Sequence, residues 1–432
     1  MSTVTDKPTV PASPSAPVVL AKTVITSWKA PVAFGIFTIA MLALATVGAR
    51  PGDTGFRLSS PGDAIQLPEV VVSSQTAVWV SAIVLLAITV ASIVLVRGKR
   101  RVPLWMIVVF ALFFMFGFLA WAAAGASIPV IGLLFGSLSL AVPLIYGSLA
   151  GVIGERVGVV NIAIESQLLA GAFTAAVVAS VTGQLWLGVI AAMVAGLLVG
   201  MVLAVFAIKY FVDQVIVGVV LNVLVVGLTS FFYSQVLVPN AAVLNTPPRF
   251  ERIAIPLLSD IPIIGPVLFR QTIIVYIMYV AVAAVYFGLF HTKWGLRLRA
   301  VGEHPQAADT VGIKVNRTRF WNVALAGAIA GLGGTFFTIG TGIAFNKEMT
   351  AGAGYIALAA VIFGQWDPIK ATFAALLFGF ASNLQNTLSV IGSPVPSEFM
   401  LMLPYVVTIF AVAGLVGKVR PPAASGKPYI KS

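Results

Sequence analysis

Polar side chains are scarce in this chain, so the few that interrupt its apolar stretches carry most of its chemical information. One interruption reads Gly154-Glu155-Arg156-Val157-Gly158-Val159-Val160-Asn161-Ile162-Ala163-Ile164-Glu165-Ser166-Gln167. Asn161, Glu165 and Gln167 are costly beside lipid, and a plain cytoplasmic turn has no need of three such groups. Unwound backbone at membrane depth is tolerated only where protein covers it or water reaches it. The segment is therefore expected to break or re-enter the membrane and to border a solute pathway or its cytoplasmic mouth. Asn222 and Asn322 add amides within other apolar stretches, and aromatic rings such as Phe336, Phe337, Tyr233 and Tyr355 could stack on a ring-shaped solute, although packing explains each of them too. The set holds amides and scattered acids but no run of paired charges, which suits a neutral polar solute better than a proton relay or a voltage sensor. The chain has no Cys, which excludes disulfides, thiolate metal sites and cysteine nucleophiles. Its two His, His291 and His304, share one loop, so no metal or other cofactor is expected.

That loop, 291–319, is a polar island between two apolar stretches. Lys293, Arg297, Arg299, Lys314, Arg317 and Arg319 outweigh its two acids, Glu303 and Asp309, which assigns it to the cytoplasm. Within it, Glu303-His304-Pro305 opens a short helix, with Pro305 at its first turn, and Gly312 follows its end, describing about two turns. Ala307, Ala308 and Val311 share one narrow face by their spacing, a small apolar surface suited to a groove on another protein. A helix lying on lipid would carry bulky Leu, Phe or Trp there.

These groups must be positioned by membrane spans. With 59% hydrophobic and 9% charged residues in 432, the chain cannot be a soluble globule with one core. A span needs about 20 apolar residues, and the expected fold is all-α, a polytopic helical membrane protein of about 10–12 transmembrane helices. Candidate spans lie near 31–48, 76–96, 103–124, 128–152, 166–182, 185–208, 215–238, 271–290, 320–343, 355–366, 369–386 and 399–417, the tenth being short. Alternation with both termini cytoplasmic puts most of the 26 Lys and Arg inside and divides the 14 acids evenly. The net charge of +12 thus reflects insertion into an inner (cytoplasmic) membrane as a multi-pass protein, not nucleic-acid binding. The expected organisation is a disordered cytoplasmic tail over 1–30, accessory spans over 31–124, a core over 125–417 that includes the 291–319 loop, and a cytoplasmic tail over 418–432. Glycines at helical spacing, including Gly327, Gly331, Gly333 and Gly334, allow close helix contact. The nearest approaches to a nucleotide-binding loop, Gly417-Lys418 and Gly426-Lys427, lack both the upstream glycine and the following hydroxyl, so no ATP site of the chain's own is expected.

The 154–165 run and the run Gly295-Leu296-Arg297-Leu298-Arg299-Ala300-Val301-Gly302-Glu303-His304-Pro305-Gln306-Ala307-Ala308 together resemble the permease subunits of bacterial ABC importers. More narrowly they resemble the branched-chain amino acid and monosaccharide permease family, in the subgroup associated with nucleoside or simple-sugar uptake, over residues 125–417. The subgroup's first motif typically reads G-E-R-x-G-V-V-N-I-G-x-E-G, and this chain carries Ala163 and Ser166 where glycine is usual. Its second typically reads G-E-N-P-x-A-A, and His304 replaces the asparagine. The resemblance implies that Glu303, His304, Pro305, Ala307, Ala308, Val311 and Gly312 couple to a cytoplasmic ABC ATPase. It also implies a second permease subunit, identical or different, and an external solute-binding protein. The expected solute is a nucleoside, with simple-sugar uptake as the alternative; the rival from a different class is an ion-coupled secondary transporter, in which Glu165 would be the protonatable group.

Overall fold

The computed structural model describes residues 27–63, 65–396, 398, 399, 402 and 420–430. Fifteen α-helices are found among them: α1 Lys29–Thr46, α2 Ser74–Arg97, α3 Leu104–Ala122, α4 Val130–Arg156, α5 Ile164–Thr182, α6 Leu185–Ala204, α7 Gln214–Phe232, α8 Ala241–Leu244, α9 Ile264–Leu268, α10 Ile273–His291, α11 Lys293–Glu303, α12 Pro305–Thr310, α13 Val315–Gly334, α14 Ala353–Phe363 and α15 Pro368–Val390. Helices dominate because a chain in lipid must satisfy its backbone internally. Two of them, α6 and α7, run on into π-helical turns at Val205–Lys209 and Tyr233–Leu237.

Nine helices among the described residues are long and apolar enough to cross a membrane: α1 to α7, counting those extensions, with α10 and α13. The fold is thus all-α and polytopic, with differences from the sequence reading, among them that the expected span 369–386 lies in α15, which is not one of those nine. The ninth span starts and stops earlier than expected, its helix ending at Gly334 and a 3-10 turn closing it at Phe337. The tenth is the 11-residue helix α14, about 16 Å long and too short to cross a hydrocarbon layer. The expected span 399–417 and most of both terminal tails lie outside the described residues. Short strands also occur where only loops were foreseen. β1 Asp53–Arg57 pairs antiparallel with β2 Val70–Ser73 and parallel with β3 Ser127–Pro129, and β4 Arg252–Ala254 pairs antiparallel with β5 Arg270–Thr272.

The chain divides into two compact units, Met1–Gly48 with Trp79–Gly117, and Ala49–Val78 with Phe118–Ser432. In the first, Phe34 stacks on Phe110 at 4.2 Å and the hydroxyls of Thr38 and Thr89 meet at 2.9 Å. The second is centred on α4, α5, α6 and α13. Here the glycine spacing acts as expected: a Cβ on Gly331 would strike the Ala192 carbonyl of α6, and one on Gly171 would strike Gly331. Backbones approach this closely because lipid offers helices no hydrophobic drive and packing must supply it. Polar bonds add ties, with Tyr146 Oη donating to the Ile274 carbonyl at 2.8 Å and Asn383 Nδ2 to the Leu133 carbonyl at 2.7 Å.

Candidate functional site

The interruption between α4 and α5 is a non-helical link over 157–163, whose left-handed Gly158 (φ +93°) turns the chain. The link is almost wholly buried, Asn161 completely so, as is Gln167 in the first turn of α5, and buried backbone of this kind needs partners. They come from distant elements. Asn161 Nδ2 donates to Gln167 Oε1 at 3.0 Å, and Gln167 Nε2 donates back at 3.3 Å. Asn222, on α7, accepts from the Ser166 amide at 3.0 Å while its Nδ2 donates to the Ile162 carbonyl and to Tyr355 Oη, each at 3.0 Å. Gln214 Oε1 accepts from the Val160 amide at 2.7 Å.

Glu165 has a separate task. Its Oε1 accepts from Thr350 Oγ1 at 2.6 Å and the Gly352 amide at 2.9 Å, and its Oε2 from the Gly354 amide at 2.6 Å. The carboxylate thus caps the N-terminus of α14 from across the molecule, meeting both the orphan amides and the positive end of that half-length helix. Four of the expected site residues, Asn161, Glu165, Gln167 and Asn222, therefore lie in one polar knot joining α5, α7 and α14. Asn322 and Phe336 are not among its partners. Asn322 accepts from Trp294 Nε1 at 2.9 Å and donates to the Thr318 carbonyl at 2.7 Å, and Phe336 packs in the apolar core.

A second knot ties the C-terminal end of α4 to the turn that precedes α15. Glu155 Oε2 accepts from Trp366 Nε1 at 2.5 Å, and Arg156 Nε donates to the Trp366 carbonyl at 3.0 Å. These bonds hold a turn in which Gln365 and Trp366 both take positive φ, at 55° and 56°, a costly conformation for side-chain-bearing residues.

The 291–319 island contains two helices, α11 and α12, rather than one. Thr292 caps α11 by accepting from the Gly295 amide at 3.2 Å. Pro305 opens α12, and Gly312 turns the chain beyond it at φ +86°. Pro305 and Ala308 are buried, whereas Glu303, His304, Ala307, Val311 and Gly312 are exposed. The expected apolar face is therefore divided, with Ala308 as a foot on the core and Ala307 and Val311 presented outward. Helical spacing placed the three side by side without showing which flank the core takes. At the end of α11, a Cβ on Gly302 would strike the Arg156 carbonyl, so the end of α11 that leads into α12 rests directly on the end of α4 where the link begins.

Residues 420–430 complete this region. The Ala424 amide donates to the Gly302 carbonyl at 2.9 Å, and the Ala423 amide to Glu303 Oε2 at 3.2 Å. Arg319, only 2% exposed, donates through Nη1 to the Lys427 carbonyl at 2.8 Å, with its other terminal nitrogen beside Gly158. Tyr429 is buried, and burial, followed by its hydrogen bond to Asp309 and the charge there, raises its phenol pKa from the ordinary value. The sequence reading missed this strap. Its only sequence signal is Arg319, a cation inside the first turns of a span.

The family described as branched-chain amino acid transport system / permease component matches residues 133–412. The chain belongs to that family. This permease is 41% identical over 308 residues to the guanosine ABC transporter permease protein NupQ of Bacillus subtilis (strain 168), covering 68% of this chain and 95% of that one. To the nucleoside ABC transporter permease protein NupC of Lactococcus lactis subsp. cremoris (strain MG1363) it is 38% identical, covering 67% and 94%. To the putative glucose ABC transporter permease protein TsgC13 of Haloferax volcanii it is 36% identical, covering 59% and 77%. No solved structure matches it. The permease is accordingly a transport component and a multi-pass protein of the cell membrane.

Proposed function

We propose that this permease forms half of a pathway through which an ABC importer brings a nucleoside into the cell, with ATP hydrolysis residing on a separate cytoplasmic subunit. The observation that carries the reading is the similarity, over 95% and 94% of their lengths, to permeases named for guanosine and nucleoside. The amide-rich, charge-poor character of the Asn161, Gln167 and Asn222 knot supports a neutral polar solute. A second permease subunit and an external solute-binding protein belong to the same reading.

In this mechanism the exposed surface of α12, with Glu303 and His304 before it and Val311 and Gly312 after it, seats on the ATPase. Closure of the ATPases moves α12, whose Pro305 and Ala308 are footed in the core. The displacement passes through the contact of Gly302 with Arg156 into the 157–163 link. The link is bonded to α7 through Asn222 and Gln214, and α5 to α14 through Glu165, so these elements move as a body and switch access from one side to the other. Glu165 has its oxygens engaged in capping α14, which disfavours the reading in which it carries a coupling proton. Simple-sugar uptake is the second reading, favoured by the similarity to TsgC13.

The test is uptake of radiolabelled guanosine by cells expressing the permease with its ATPase and binding protein. Uptake is expected to persist when the proton and sodium gradients are collapsed and ATP is maintained, and to resist excess glucose. Loss of uptake on collapse of the gradients would make the protein a secondary transporter, and displacement by glucose would make the sugar its solute.

A further inference from the structure

A cleft of about 450 Å³ opens where α10 gives way to α11 and α13 begins. Arg297, Lys314 and Arg317 form its rim, and Trp294, Trp321 and Leu325 form its wall. Trp294 is fixed in place: its Nε1 donates to Asn322 Oδ1 at 2.9 Å, and its ring packs against Gly288 of α10. The rim cations and the wall residues Trp321 and Leu325 are exposed, Trp321 at 54% and Leu325 at 41%.

Two features define what this cleft can hold. The first is uncompensated positive charge. No acid lines the cleft, and among the described residues none of the three rim side chains makes an ion pair or hydrogen bond. The two acids of the island are turned elsewhere, Glu303 to the Ala423 amide and Asp309 to Tyr429. The second is depth. Arg317, Trp321 and Leu325 follow one another at i, i+4 and i+8 on α13, a helix long and apolar enough to cross the membrane. At 1.5 Å per residue the stripe descends about 12 Å from guanidinium to leucine. A soluble phosphorylated molecule would use the rim alone and leave Trp321 and Leu325 to bulk lipid. A phospholipid uses the whole stripe, with its phosphate at the cations, its glycerol beside the indoles and the start of an acyl chain against Leu325.

We propose that this cleft is a binding site for an anionic phospholipid of the leaflet on the side of α11 and α12. The proposal rests on the placement of α10 and α13 as membrane spans and not on the solute. Occupancy would fill the space between α11 and α13, so the lipid would brace the helix from which α12 projects.

The experiment uses the full-length permease in nanodiscs of phosphatidylcholine and phosphatidylglycerol, with bromine on the acyl chains of one lipid or the other. Tryptophan fluorescence is read, and the Trp321 component is obtained by difference against Trp321→Phe. Brominated phosphatidylglycerol is expected to quench that component at least threefold more than brominated phosphatidylcholine at equal content. The preference should vanish in Lys314→Gln/Arg317→Gln and survive in Lys314→Arg/Arg317→Lys, which guards against loss through misfolding. Equal quenching by the two lipids in the wild type would overturn the proposal. So would abolition of the preference by millimolar glycerol phosphate, which would make the cleft a site for soluble phosphates, or by a bound ATPase, which would make it a protein-docking face. None of these readings requires transport, so the result stands apart from the fate of the uptake assignment.

Discussion

Substituting Glu165 tests whether its carboxylate organises the fold or carries cargo. Its two oxygens accept three hydrogen bonds, from Thr350 Oγ1, the Gly352 amide and the Gly354 amide. Thr350 and Gly354 are buried and Gly352 is half-buried. Glu165→Ala strands two buried donors fully and a third in part. At about 1–3 kcal/mol for each stranded donor, the two fully stranded ones cost about 2–6 kcal/mol, and Gly352 adds less because water partly rescues it. Glu165→Gln is more informative because it is nearly isosteric. Either orientation of the new amide turns its NH2 towards a backbone N–H, at Gly354 or at Gly352, and the Thr350 hydroxyl alone can rotate to accept. One charge-assisted bond is lost and one donor stranded, a cost of about 1.5–3 kcal/mol. The assay is thermostability of the purified permease by fluorescence-detected size exclusion, run beside guanosine uptake. Stability should fall from wild type to Glu165→Gln to Glu165→Ala, with uptake falling in step. A Glu165→Gln protein of unchanged stability that no longer transports would refute the capping argument and make Glu165 a ligand or proton carrier.

The divided face of α12 predicts two different failures. Ala307→Glu should leave the permease folded and abolish ATP-dependent uptake, whereas Ala308→Glu, placing a charge at a buried foot, should reduce the yield of folded protein; expression and uptake measured together separate them. Gly302→Ala drives a Cβ into the Arg156 carbonyl. It should leave ATPase binding intact by pull-down while uptake drops, and normal uptake would exclude this contact as a transmission point. Arg319→Ala removes the bond to the Lys427 carbonyl, a charged hydrogen bond of about 1.5–3 kcal/mol. Amide exchange at Ala424 should then accelerate about tenfold or more, and unchanged exchange would show that the strap is held without Arg319.

Much of this architecture was legible because its signals are local. Long apolar runs gave nearly all the spans, Pro305 and Gly312 bounded α12, and glycine spacing marked the seam where Gly331 meets α6. The costly amides at 161, 167 and 222 stood out because each needs a partner in lipid, but they were read as bordering a solute pathway, and their bonding into one knot came only with the structure. What sequence did not disclose depends on partners far along the chain. Glu165 caps a helix more than 180 residues away, and nothing near it in sequence shows that its oxygens are taken. Ala308 differs from Ala307 only in the core that it meets. Asn322 resembled the knot amides in type but is claimed by Trp294, and Phe336 resembled a stacking ring but is core. The strap over 420–430 has no periodicity, being rich in Pro, Ala, Gly and Ser and held through its backbone to Gly302, Glu303 and Arg319, and the strands of three to five residues are too short to show alternation.

The central claim is that α12 is the surface through which a separate ATPase drives this permease, and the absence of Cys from the chain allows a direct measurement. A single Cys introduced as Ala307→Cys, in permease co-expressed with its ATPase, can be joined to single Cys positions on that subunit by a short bifunctional thiol reagent. The account predicts a specific cross-link at Ala307→Cys, none at a control Cys on the opposite membrane face, and ATP-dependent guanosine uptake that stops on cross-linking and returns on reduction. Uptake by the permease alone in sealed vesicles, with no ATPase bound and no cross-link formed at α12, would contradict it.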